Sequence, residues 1–227
     1  MTTAELKRRP DFFRIIYALL FSSLITVLLL FIGAERAKST FYFFLIYNMA
    51  LAFVPLLLAW WLTYRLHKTA WLTFPNLLLT VLWLGFLPNS FYMITDLIHA
   101  DSSIGIDLLY NIVLIVLCIF NSLVAGYISI YLIHWALLKR FYYRNVHVLI
   151  GVVILLCSFA IYLGRFLRWN SWDVIFNPAG ILFDVSDSIA SPSTHPQVFS
   201  TTASFFLLLI SMYIVIWQIT RVLRKTD

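Results

Sequence analysis

The chain has 227 residues, of which 62% are hydrophobic and only 11% charged. A soluble domain needs roughly twice that charge to wet its surface, so the solvent for most of this chain is lipid. Its mean hydropathy of +0.92 and 18% aromatic content agree, and they exclude a disordered polypeptide.

A hydrocarbon core about 30 Å thick takes about 20 apolar residues per helix. Six stretches meet this length: Ile15–Ile32, Phe41–Leu62, Trp71–Leu87, Leu108–Leu137, Val146–Leu163 and Phe199–Ile219. Leu, Ile, Phe and Val occur all round each stretch, without the polar stripe of a soluble helix. Alternation of the kind seen in outer-membrane barrels is absent. The expected fold is all-α and polytopic, a single integral membrane domain over residues 1–227.

The first stretch follows a basic tail of Lys7, Arg8 and Arg9, as a signal peptide would. Its apolar run exceeds the usual 7–15 residues, and Gly33-Ala34-Glu35-Arg36 makes a poor cleavage site. We read it as a retained anchor. Pro75 falls near the start of the third stretch, where proline is tolerated. Pro88 falls near its end and is expected to bend or stop the helix. Beyond it, Asn89, Tyr92, Asp96 and His99 recur at spacings of three, four and three, one face of a helix.

In the fourth stretch Ser122 and Gly126 stand four apart, as do Ala125 and Ser129, a spacing that lets helices approach closely. Asn121 is expected to hydrogen-bond a neighbouring helix. Cys118 and Cys157, the only cysteines, lie in apolar interiors and read as packing groups. His134 and His147 flank a basic connection and read as interfacial. The fifth stretch ends in Tyr162, Arg165, Arg168, Trp169, Asn170, Trp172 and Asp173, with Arg165, Arg168 and Trp172 on one helical face.

The longest connection follows. Asn177-Pro178-Ala179-Gly180 reads as a turn, and Ile181, Leu182, Val185 and Ile189 then mark an amphipathic helix over residues 181–189 on the outer surface.

The basic residues sort by side. Lys7, Arg8, Arg9, Arg14, Arg65, Lys68, Lys139, Arg140, Arg144, Arg221, Arg224 and Lys225 share one side of a six-span topology, with three acids. The other side holds Arg36, Lys38, Arg165 and Arg168, with seven acids. Both termini are therefore expected to be cytoplasmic. The net charge of +6 reports this orientation and anionic lipid, not a nucleic-acid partner.

The segments Leu87-Pro88-Asn89-Ser90-Phe91-Tyr92-Met93-Ile94-Thr95-Asp96-Leu97 and Tyr162-Leu163-Gly164-Arg165-Phe166-Leu167-Arg168-Trp169-Asn170-Ser171-Trp172-Asp173 are similar to those of an uncharacterised bacterial family of six-helix integral membrane proteins. That family is known only as a domain of unknown function. The resemblance implies a multi-pass protein of the bacterial cytoplasmic membrane and supplies no activity.

Three functional readings are open on these residues. One is an outward pocket for an anionic or lipid-linked ligand, with Arg165 and Arg168 clamping the charge. Asn89, Tyr92, Trp169, Asn170 and Trp172 would line it, and Asp96 or Asp173 would act as base. A metal variant places Mg²⁺ or Mn²⁺ on Asp96 and His99, completed by Asp101, Asp107 or Asp173. The second reading is a packing or assembly module in which Asp96 pairs with Arg165. The third is a carrier for an uncharged or amphipathic solute, lined by Asn48, Asn111 and Asn121. Cofactors and oligomeric state have no sequence signal.

Overall fold

The computed structural model describes residues 10–102, 107–169, 173–190 and 197–223. Among these there is no strand. The helices are α1 (Pro10–Ala37), α2 (Phe41–Arg65), α3 (Phe74–Tyr92), α4 (Leu108–Leu138), α5 (Tyr143–Phe166), α6 (Asp173–Phe176), α7 (Pro178–Ala190) and α8 (Gln197–Leu223), and a 3-10 segment, Met93–Ser102, continues α3. Six apolar helical paths of 24 to 31 residues are long enough to cross a membrane. At 1.5 Å per residue they reach about 36–46 Å, beyond the hydrocarbon and into the headgroups. The helices end beyond the expected apolar stretches because a backbone in lipid keeps its hydrogen bonds internal until water can replace them. At its other end α3 starts at Phe74 and not at Trp71, with Pro75 in its first turn.

Contacts divide the chain into two compact units, Met1–Ala136 and Leu137–Asp227. The first holds α1 to α3 and most of α4. Its apolar centre includes Leu30, Tyr42, Leu45, Met93, Leu114 and Cys118. Lipid tails are as apolar as leucine, so helix association relies on close packing and buried polar bonds. Asn121 on α4 donates to Thr26 Oγ1 on α1 at 3.0 Å and accepts from Ser23 Oγ at 3.2 Å, as expected of it. Trp83 on α3 donates through its indole to Ser129 Oγ on α4 at 2.6 Å. Ser129 in turn donates to the Pro55 carbonyl on α2 at 3.2 Å, joining three helices through one hydroxyl. Ser90 donates to the Ala52 carbonyl at 2.7 Å.

Two prolines lie inside helices, Pro55 in α2 and Pro88 in α3. Of the two outcomes expected at Pro88, a bend or a stop, the helix does not stop there. The helix continues to Tyr92 and then tightens into the 3-10 segment. Neighbouring helices stabilise the region, with Ser90 bonded to α2 two residues beyond the ring. His134 is fully buried within the protein.

In the second unit α5 and α8 run antiparallel. His147 meets Trp217 at one end, with ring centroids 5.4 Å apart, and Val198 packs with Tyr162 and Leu163 at the other. Cys118 and Cys157 are free and buried, one in each unit.

Two helices approach closely at Gly126, where an added Cβ would lie 2.6 Å from Ser90 Cβ and 3.2 Å from the Phe91 ring. Gly151 on α5 has nothing within 4 Å of such an atom. Gly126→Ala is expected to destabilise by about 1–3 kcal/mol through overpacking, whereas Gly151→Ala gains helix propensity at no steric cost. Thermal unfolding of both variants in detergent checks this, and equal midpoints would refute the close contact.

Candidate functional site

The expected site residues fall in both units. In the first, the α-helical face proposed for Asn89, Tyr92, Asp96 and His99 is broken, because the backbone changes to 3-10 geometry after Tyr92. Three residues per turn keep Asp96 and His99 aligned with Met93 but shift them away from Asn89 and Tyr92. Asp96 is 1% exposed, a carboxylate enclosed within electrostatic reach of Cys118. Asn89 and Tyr92 are half-buried, and Asn89 Nδ2 is enclosed without a hydrogen-bond partner. The Tyr92 carbonyl accepts from Thr95 Oγ1 at 2.7 Å, helping to tighten the turn.

His99 lies edge-on to Phe41, centroids 5.6 Å apart. The end of the 3-10 segment is fixed by Asn111 on α4. Its amide donates to the Ala100 carbonyl at 2.5 Å, and its oxygen accepts from Tyr42 OH at 3.2 Å. Asn111 and Asn121 are thus engaged in interhelical bonds, and Asn48 is half-buried. Asp107 is exposed. Among the described residues no three His, Cys, Asp or Glu side chains gather closely enough to hold a metal. The side chain of Asp101, offered by the metal reading as a third ligand beside Asp96 and His99, lies outside the described residues.

In the second unit, α5 ends at Phe166, so Arg165 and Arg168 do not share a helical face. Arg168 instead takes a left-handed backbone, φ 60°. A non-glycine residue there costs about 1–2 kcal/mol. Reversing the chain at this point lets the Trp169 N–H donate back to the Leu163 carbonyl at 3.3 Å, beside the Leu167 N–H at 3.0 Å. Arg165 is half-buried and Arg168 exposed. Asn170 and Trp172 lie outside the described residues, so the face assigned to Trp172 has no structural counterpart here. Asp173 is half-buried and opens the short α6.

Trp169 holds the next element down. Its indole N–H donates to Asp184 Oδ2 on α7 at 2.8 Å. Its ring also lies over Gly180, where an added Cβ would come within 2.8 Å of it. Ile181 and Val185 complete the contact by packing with Tyr162, Leu163 and Val198. The segment Asn177-Pro178-Ala179-Gly180 is not a free turn but the start of α7. Asn177 Oδ1 accepts from the Gly180 N–H at 3.1 Å, an N-cap, and Pro178 occupies the first helical position. Asp184 and Gly180 had no chemical signal in the sequence beyond their place on an amphipathic helix.

Trp169→Phe keeps a ring but removes the donor to a carboxylate, an interaction worth about 1.5–3 kcal/mol. Amide exchange across Pro178–Ala190 is expected to quicken by about tenfold or more, while exchange in α5 is unchanged. Unchanged exchange in α7 would show that the bond does not hold it.

The family described as "Protein of unknown function (DUF1361)" matches residues 47–216. Comparison with curated proteins and with solved structures gives no match. The matched residues run from within α2 to within α8 and contain both site segments, so the chain belongs to this family of unknown function.

Proposed function

We propose that this membrane protein recognises an anionic or lipid-linked ligand at the Arg165–Trp169 end of its second unit, which the charge distribution assigns to the outer face of a bacterial cytoplasmic membrane. The observation that carries this reading is Arg168. A basic side chain held at a strained, glycine-favouring position, with its guanidinium exposed, is the kind of conformation retained for function at the expense of stability. Arg165 lies on the last turn of the adjoining helix and adds to the positive potential. A forked guanidinium matches phosphate or carboxylate, and aromatic surface at the interface suits the apolar part of a lipid. Asp173, which opens the adjoining α6, would serve as the base, so Asp173→Asn separates binding from any turnover.

A packing or assembly role is the second reading, and the first unit favours it. Asp96 is enclosed, and Asn111 and Asn121 are spent on bonds between helices.

The test uses farnesyl phosphate and farnesol with the purified chain in detergent. The wild type is expected to bind the phosphate at least about tenfold more tightly, as two charge-assisted contacts would give. Arg168→Lys removes this preference with an unchanged thermal midpoint, because charge persists but the fork is lost. Arg168→Gly removes it too while raising the midpoint by a few degrees, through relief of about 1 kcal/mol of backbone strain. Retention of the preference in both variants would leave the packing role. Orientation is checked separately by reporter fusions, which should be external after Ala190 and internal after Asp227.

A further inference from the structure

We infer that the opposite end of the second unit, built from the 139–147 segment and the last turns of α8, is a binding surface for anionic phospholipid headgroups. This surface is independent of the site proposed at Arg168. Between α4 and α5 the chain reads Lys139-Arg140-Phe141-Tyr142-Tyr143-Arg144, and every one of these side chains is exposed, Tyr142 at 85%. The connection cannot leave the membrane boundary. The Leu137 carbonyl accepts both the Arg140 and Phe141 N–H groups at 2.9 Å, and α5 resumes at Tyr143. Basic and aromatic side chains are thus fixed at the depth where headgroups lie, a combination suited to an anionic interface.

A second helix adds to the same surface. His147, tilted against Tyr143 with centroids 4.0 Å apart, meets the edge of Trp217 on α8. One turn outward from this contact each helix presents an arginine, Arg144 three residues before His147 and exposed Arg221 four residues after Trp217. The neighbouring sequence is poor in acids. The sequence contains none between Asp107 and Asp173, and none between Asp187 and Asp227. Charge complementarity therefore selects an anionic leaflet over a zwitterionic one, and the exposed rings continue the apolar surface of the helices into it.

Native mass spectrometry of the full chain in mixed micelles tests the inference, with phosphatidylglycerol and phosphatidylcholine of identical acyl chains as probes. The wild type is expected to retain phosphatidylglycerol roughly tenfold better, since each basic residue near a surface contributes about fivefold at most. The preference should weaken as salt rises from about 0.1 to 0.5 M. Replacing Lys139, Arg140, Arg144 and Arg221 by Gln should abolish it, whereas Arg144→Lys with Arg221→Lys should retain it, because charge and not fork geometry is read. The Gln variant should keep the preference for farnesyl phosphate over farnesol, which separates this surface from the site at the other end. Equal retention of both lipids by the wild type, or a preference insensitive to salt, would overturn the inference even if the Gln variant failed to fold. Displacement of the lipid by about 10 mM inorganic phosphate would likewise overturn it in favour of a free-phosphate site.

Discussion

The Ser129 hydroxyl takes a proton bond from Trp83 and gives one to the Pro55 carbonyl, so a single side chain on α4 fastens α3 and α2. Lipid offers no hydrogen-bond partner, so a buried polar group is stabilised by one within the protein. That constraint explains why the first unit is organised in polar levels. Asn121 binds α1, Ser129 joins α2 and α3, Ser90 binds α2, and Asn111 holds Tyr42 and the 3-10 segment. Between these levels, close backbone approach does the rest. Gly126 sits against Ser90 and Phe91, and Gly33 against Leu114, so apolar shape fills the space that polar bonds define.

Where the free energy was dominated by transfer into lipid, the sequence was easy to read. Six runs of apolar residues imply six helices whatever the neighbours are, and Asn121 in such a run requires a partner nearby. Helix ends were harder, because they depend on local bonds that residue identity does not announce. Arg168 carries no glycine signal, yet it adopts the left-handed region since Trp169 is bonded on both its backbone and its indole. Pro178 looked like a turn residue, but Asn177 before it caps a helix. The burial of His134 came from packing that periodicity alone did not specify.

The same physics separates the two arginine groups of the second unit. Arg144 and Arg221 stand on regular helices in an acid-free region, and nothing in their geometry fixes the guanidinium plane. Such residues act as charges, and their effect is set by number and depth. Arg168 is held differently. Its backbone is constrained on one side by the end of α5 and on the other by Trp169, so its direction is specified even though its side chain is exposed.

This ties the presentation of Arg168 to the docking of α7. A left-handed arginine persists only while its flanks are over-determined. One flank is the Trp169 ring between Gly180 and Asp184, and that arrangement exists only when the N-cap at Asn177 has started the helix. Loss of α7 would release Trp169, and the about 1–2 kcal/mol of strain at Arg168 would then favour an ordinary conformation. By linkage, whatever stabilises the exposed guanidinium in its present direction also stabilises α7 on the end of α5. The amphipathic helix is thus the element on which the orientation of the arginine depends, and it carries Leu182 and Phe183 exposed on its surface.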